Sequence, residues 1–527
     1  KVALGIRWSW SPYTTTVCST ATDGQAHITG TEGHTMKHPL LYEINTRCWL
    51  RDLSDESGSA ITLSQIPERE FTRWLDLGFT HIWLMGVWTT TVAAREQALR
   101  SRQLRERYDD VLPDWQPEDI GGSPYAIGDY NVPEELGGND GLKEFRRRLH
   151  GHGMKLILDF VPNHVGIGHS WLQFWPELFV QGRPGSTGAF KWRAKDTDHW
   201  IAHGKDPYFS AWVDTAQLDF RRPETHRASL DTLKLIANQC DGVRCDMAML
   251  VLRKIFERTW EQVPCPVAPC EREFWPHAIA MVREQSPEFV FIAEAYWDLE
   301  RDFLDQGFDF TYDKWLTDHL KNENPTQTTT HLKNARDGFI GRSVHFLENH
   351  DEPRAATAFD WREHRTAAVL ACSLPGMRLL HEGQLSGAEK QIPVQLARRP
   401  REEQNDEIHA FYTWILRLLR ATAIGDGEHK LLTPYPAWAT NETHQGVTAI
   451  QWQKHPDAFD LVVVNLAEHD AQCFINPEIR GLAKNDWSMT DFLSPAAFTR
   501  PGREIANKGI YLALAPHAAQ IHHFTPA

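Results

Sequence analysis

The sequence predicts an α/β protein: a (β/α)8 barrel with a segment inserted after its third strand and an antiparallel β domain at its C-terminal end. Three observations carry that prediction. Eight short apolar or aromatic runs alternate with amphipathic helical stretches across most of the chain. No glycine-rich phosphate loop follows a strand, which favours a closed barrel over an open doubly wound sheet. Beyond residue 425 the pattern changes to runs that alternate like antiparallel strands, as in "GVTAIQWQ", "DLVVVNL" and "GIYLALA".

In chain order, residues 1–35 are Ser/Thr/Gly-rich and aperiodic, and read as a disordered extension, with folded structure starting near Met36. The strands are "LYEINTRCW" (41–49), "HIWLMGV" (81–87), "KLILDFV" (155–161), "GVRCDM" (242–247), "FVFIAEA" (289–295), "FDFTYDK" (308–314), "SVHFLEN" (343–349) and "GMRLLHEG" (376–383). Helices are expected over 66–78, 141–153, 223–238, 272–285, 314–335, 361–372 and 404–420. In the second of these, Leu142, Phe145 and Leu149 recur on one face, and Gly151 and Gly153 end it. Residues 88–140 and 165–222 are too long for plain connections and read as functional insertions. The expected organisation is a catalytic barrel over 36–425, including the inserted domain 165–222, and a β-sandwich over 426–527.

Composition narrows the function. The 527 residues are 41% hydrophobic and 24% charged, with a formal charge of −15, which excludes the basic surface that nucleic acid requires. The 21 Trp, 25 Phe and 11 Tyr suit stacking on sugar faces as well as core packing. Eight scattered cysteines form no C-x-x-C pair; Cys265 and Cys270 are close enough to bridge, but read as free thiols. With no apolar run of membrane-spanning length and no hydrophobic signal core, the reading is a cytoplasmic protein without a membrane partner. Nothing in the sequence sets an oligomeric state.

The ends of the proposed strands hold the chemistry. Strand three ends in "DFVPNH" (Asp159, Asn163, His164), strand four in "GVRCDMAM" (Arg244, Asp246), strand five in "FIAEAYW" (Glu294) and strand seven in "FLENHD" (His350, Asp351). In a parallel barrel these ends share one face, so groups far apart in sequence converge. Two carboxylates flanking a bond are what a retaining glycosidase needs. Arg244, two residues before Asp246 on the same strand face, is expected to keep Asp246 ionised, and the apolar setting of Glu294 to keep it protonated. Asp351 would stabilise a cationic sugar, with His164 and His350 donating hydrogen bonds to it.

The segments "DFVPNH", "GVRCDMA", "AEAYW" and "ENHD" occur in the order of the four signature segments of glycoside hydrolase family 13, the α-amylase family, which the chain therefore resembles. "DTAQLDFRRPE" (214–224) is similar to the family's fifth segment, and "SPYAIGDY" (123–130) to the one that sets a tyrosine against the reactive glucose. The resemblance implies Asp246 as nucleophile, Glu294 as general acid/base and Asp351 as transition-state stabiliser, with Tyr125, Asp159, His164, Arg244 and His350 lining the subsite. "NHDEPR" resembles the α-glucosidase side of the family, which makes Arg354 a neighbour of the aglycone or of Asp351. The implied activity is hydrolysis of α-glucosidic bonds, α-1,4 first, in oligosaccharides or α-glucans. A transglycosylase or isomerase of the same family is the alternative, and a non-catalytic sugar-binding barrel the rival from another class.

The chain also departs from the family's pattern. Met249 and Leu250 stand where amylases often carry a Lys-His pair that serves the next sugar and calcium. Gly122 stands where many exo-acting relatives place an Asp. Asn163 retains an oxygen suited to calcium, but Asp52 and Asp55 lack the spacing of a cation loop, so no cofactor or bound metal is expected. His381 and Glu382, at the end of the eighth strand, either reach the pocket, pack, or are solvated at the rim. Arg398, Arg399 and Arg401 read as a solvated face, and Trp171, Trp175 and Trp192 as either sugar platform or core.

Overall fold

A computed structural model describes residues 38–527 apart from 266, 336, 337 and 495; the expected extension over 1–35 lies outside the described residues. Eight parallel strands close into a barrel: β1 (Leu40–Asn45), β2 (His81–Met85), β3 (Lys155–Phe160), β4 (Gly242–Cys245), β5 (Val290–Ala293), β6 (Phe310–Tyr312), β7 (Ser343–His345) and β8 (Met377–His381). Each strand pairs with its neighbours in sequence order, and β8 closes on β1 with Leu41 opposite Leu379. Side-chain alternation divides the core. Leu41, Trp83, Ile157, Ile292, Phe310, Val344 and Leu379 fill the barrel interior, while Tyr42, Ile82, Leu158, Val243 and Phe291 belong to the cluster that packs with the surrounding helices.

All eight expected strands are present, several shorter than the sequence implies. The difference is largest in β1, expected to run to Trp49. It stops at Asn45, whose side chain accepts the Cys48 N–H at 3.3 Å and caps the helix Thr46–Ser57. The single helix expected over 314–335 is two, Lys314–Lys321 and Pro325–Asn334. Asn324 caps the second by accepting the Gln327 N–H at 3.1 Å, and Pro325 occupies its first turn, where a missing N–H costs nothing.

Both long insertions are structured. Residues 88–140 carry the helices Val92–Arg100 and Arg102–Val111 and a small antiparallel pair, Thr89–Thr90 with Ile127–Asp129. In 165–222, His164–Gly166 pairs antiparallel with Thr215–Gln217, and Ala189–Ala194 forms a hairpin with Thr197–Ala202. Among the described residues no helix is long and apolar enough to cross a membrane, and the described cysteines are free.

After the helix Asp406–Ala421 the chain forms two antiparallel sheets. The six-stranded sheet runs in the order Glu428–Leu432, Val447–His455, Ala458–Asn465, Ala518–Pro526, Asp486–Asp491, Ala497–Pro501, and the three-stranded sheet in the order Tyr435–Pro436, Ala471–Ile475, Ile510–Leu514. One face of the larger sheet is continuous with the barrel core through Ile450, Trp452, Val462, Val464 and Ile521. Trp452 is fully buried, and its Nε1–H donates to the Ser373 carbonyl at 2.9 Å. Trp452→Ala is expected to cost about 3–5 kcal/mol in chemical denaturation. A loss below about 1 kcal/mol, the size of an ordinary surface effect, would show that the sheet merely abuts the barrel.

Candidate active site

On most barrel strands the inward column changes from apolar to polar in its top layer. Leu41 is followed by Glu43, Ile157 by Asp159, Ile292 by Glu294, Phe310 by Tyr312 and Leu379 by His381, each two residues on and so on the same face. On β4 the column is Gly242, Arg244, Asp246. Arg244 stands opposite Asp159 on β3 and Ile292 on β5, which brings Glu294 to the level of Asp246. The expected convergence is thus present: alternation aims the groups inward and register sets their heights.

Arg244 is the hub. It is 1% exposed and stacked among Trp83, Tyr125 and Tyr312, with its guanidinium carbon 5.3, 5.4 and 5.8 Å from the ring centres. Its Nη1 donates to Asp246 Oδ1 at 2.7 Å, its Nη2 lies 2.8 Å from Glu294 Oε2, and Asp159 Oδ1 is 3.5 Å from Nη1. Glu294 also accepts the Met247 N–H at 2.6 Å and the Tyr296 hydroxyl at 2.8 Å. Met247 reaches that position in the left-handed region, at φ 40°, so the backbone turns sharply just after Asp246.

Burial raises the pKa of both Asp246 and Glu294, and Arg244 opposes it in each without overcoming it. Arg244 is the expected partner of Asp246, but its single guanidinium is divided between two carboxyls. Asp159 is pushed up to about 7 by burial, again opposed by Arg244. Asp351 behaves differently. Its side chain is 54% exposed at the mouth, and His350 beside it, with Nε2 at 3.1 Å from Oδ2, holds its carboxyl below the usual range.

His350 is itself buried. Its Nε2 also meets the Tyr125 hydroxyl at 2.7 Å, the two rings stack with centres 5.5 Å apart, and its Nδ1 lies 2.5 Å from Glu43 Oε1. His164 is buried near Trp212, and desolvation lowers it to about 4, so it is a neutral hydrogen-bonding group. Tyr125, Asp159, His164, Arg244, Asp246, Glu294, His350 and Asp351 therefore line one end of the barrel.

Arg354 does not join them. It is buried, donates to Glu348 Oε1 at 2.5 Å and to the Glu382 carbonyl at 2.8 Å, and contacts His381 at 2.9 Å. Its cationic group neutralises a carboxylate with no solvent exposure, so it faces neither Asp351 nor an aglycone. His381 and Glu382 belong to this layer too. Glu382 pairs with Arg399 at 2.8 Å, and Arg398 pairs with Asp119 at 2.9 Å; only Arg401 of the three arginines meets the expectation of a solvated face. Trp171, Trp175 and Trp192 pack against the main apolar core.

The sequence reading missed Glu43, Trp83, Tyr296 and Tyr312. Trp83 donates its Nε1–H to Asp159 Oδ2 at 3.1 Å, and Tyr312 accepts Arg244 Nε at 3.3 Å. The signal was available, since Glu43, Trp83 and Tyr312 share the inward parity of strands already assigned. The residues considered for a cation have protein partners. Asn163 Oδ1 accepts from Gln217 Nε2 at 2.9 Å and Asp52 pairs with Arg399 at 2.6 Å. Among the described residues, no group of three or more His, Cys, Asp or Glu is arranged to hold a metal.

Comparison with known proteins places this geometry. The profile described as "Alpha amylase, catalytic domain" matches residues 74–417. The chain belongs to the α-amylase family. It is 26% identical over 272 residues to α-amylase MalA of Haloarcula japonica, covering 50% of this chain and 36% of that protein. It is 22% identical over 317 residues to α-amylase 3 of Dictyoglomus thermophilum, covering 55% of this chain and 59% of that one. The chain thus spans less than two thirds of either relative. The fold matches the maltogenic α-amylase AmyB of Thermotoga neapolitana with a TM-score of 0.64 at 17% identity, over 93% of this chain and 100% of that one.

Arg354 offers a direct test of the layer beneath the site. Arg354→Ala strands a buried Glu348 charge and is expected to destabilise the fold by about 3–5 kcal/mol. Arg354 and His381 depress the Glu348 pKa to about 2 from an ordinary 4.5, so this stabilisation is complete above pH 4.5 and is lost as pH falls toward 2. Thermal unfolding followed against pH should show that acid loss in the parent chain and a flatter limb in the variant. A variant with unchanged stability and weakened sugar binding would return Arg354 to the subsite.

Proposed function

We propose that the chain is a retaining glycoside hydrolase acting on α-glucosidic bonds, α-1,4 first, of oligosaccharides or α-glucans, through a covalent glycosyl–Asp246 intermediate. The observation that carries this reading is the bridge from Arg244 to both Asp246 and Glu294. One planar guanidinium reaching both carboxyls keeps them within a few ångströms. That favours the short separation of about 5–5.5 Å found in retaining enzymes over the roughly 6.5–9.5 Å that leaves room for a water in inverting ones.

The bridge also divides the roles. Two buried acids sharing one cation resist ionising together, so one holds a proton. Asp246 receives the well-aligned hydrogen bond from Nη1, whereas Nη2 lies near Glu294 without hydrogen-bond geometry, which favours the negative charge on Asp246 and the proton on Glu294. Asp246 attacks the anomeric carbon as its bond to the leaving oxygen breaks, and Glu294 transfers its proton to that oxygen. In the second step Glu294 takes a proton from water as the water oxygen displaces Asp246. Asp351, with His350 and Tyr125 beside it, and His164 face the sugar that carries positive charge between those steps. A sugar hydroxyl in place of water would give transfer by the same route.

Asp246→Asn should abolish turnover with the fold intact. Glu294→Gln should lower kcat on maltooligosaccharides by about 10²–10⁴-fold and recover much of it on aryl glucosides, whose leaving groups need no proton. Product profiles on maltooligosaccharides, trehalose, sucrose and isomaltose should show net glucose or maltooligosaccharide release; longer or rearranged sugars would establish transfer. Retained activity in Asp246→Asn would remove the assignment.

A further inference from the structure

Two buried glutamates lie under the mouth of the barrel, and they are satisfied differently. Glu348 receives Arg354, the Ala355 N–H and His381, as a purely structural carboxylate should. Glu43 is equally inaccessible, yet among the described residues its side chain's only hydrogen-bond partner is His350 Nδ1, at 2.5 Å to Oε1, and its Oε2 has none. A half-satisfied buried carboxylate is costly and is retained where its charge has a use.

We infer that Glu43 is a positioning residue that holds His350 as a cation between itself and Asp351 at the mouth of the site. The argument rests on the proposed glycosidase reading for its functional consequence and on geometry for the rest. An ionised carboxylate only accepts hydrogen bonds, so Nδ1 facing Glu43 carries a hydrogen. Nε2 lies 3.1 Å from the second carboxylate, Asp351 Oδ2, at ion-pair distance, and hydrogen-bonds with the Tyr125 hydroxyl at 2.7 Å. A ring flanked by two carboxylates at ion-pair distance is favoured as an imidazolium, and Glu43 supplies the negative charge that no solvent reaches.

The other groups around this ring do not replace that charge. The Tyr125 hydroxyl at 2.7 Å from Nε2 is neutral, and Trp83 meets the ring edge-on at 5.5 Å. Asp159 and Asp246 also feel His350, but both are engaged with Arg244; His381 and Arg244 face Glu43 itself. Burial pulls His350 down, while Asp351 and Glu43 together raise it well above its ordinary 6.5. With the cation in place, Asp351 stays ionised to meet a positively charged sugar.

Glu43→Gln tests this without disturbing shape, since the amide oxygen still accepts from Nδ1. Imidazole NMR of His350 should show a cation through neutral pH in the parent chain and a pKa lowered toward or below 6.5 in the variant. Correspondingly, kcat of the variant should fall on the order of tenfold per pH unit above that new pKa, a limb missing from the parent profile, with thermal stability near that of the parent. A uniform drop in kcat with the parent's pH profile, or a His350 that stays cationic without Glu43, would overturn the inference. Because the NMR measurement needs no substrate, a parent chain inactive on every α-glucoside would defeat the glycosidase reading while leaving the charge assignment to be decided on its own.

Discussion

The site depends on one guanidinium serving two acids. Arg244 is enclosed by Trp83, Tyr125 and Tyr312 and cannot swing toward either carboxyl at the other's expense. In that dry setting its charge is worth far more than in water, but there is only one of it. Asp159, Asp246 and Glu294 together outnumber it, and burial drives all three toward the neutral form. In the proposed reading, this arrangement favours an unequal division of protons between adjacent acids, the condition for one to attack while the other donates. Near the mouth, His350 sets a second cation between Glu43 and Asp351, so the exposed acid remains ionised while the enclosed ones share protons.

The barrel makes this possible by simple geometry. Lower in the interior, apolar side chains such as Leu41, Ile157, Ile292 and Phe310 pack one another; two residues later the same columns end in Glu43, Asp159, Glu294 and Tyr312. The polar layer thus sits on a close-packed floor that holds it in place. Beneath and beside it, the pairs Arg354–Glu348 and Arg399–Glu382 occupy the ends of β7 and β8. These charges hold the loops in place and do not touch the mouth.

Much of this was legible in the sequence because strand-end chemistry is local. Each of "DFVPNH", "GVRCDM" and "FIAEA" places its polar residue at a fixed offset from an apolar run, so parity alone points Asp159, Asp246 and Glu294 inward. What escaped was non-local. Glu43 gains its meaning from His350, 307 residues away, and Arg354 is drawn to Glu348 and the end of β8 rather than to its neighbour Asp351. The overlong first strand has a local cause: "TRCW" fits a strand as well as a helix, and only the cap formed by Asn45 decides between them. The sharing of Arg244 also escaped, because a sequence shows it two residues from Asp246 but not beside the second acid, Glu294.

The most direct measurement is chemical trapping. A fluorinated α-glucosyl fluoride, activated for the first step and slowed in the second, should leave one fluoroglucosyl group per chain, in ester linkage to Asp246, on peptide mapping by mass spectrometry. The Glu294→Gln variant should carry the label on the same residue and release it slowly. Label on Glu294 or Asp351, or a chain that turns the reagent over through inversion without ever becoming labelled, would contradict the division of roles that Arg244 is held to impose.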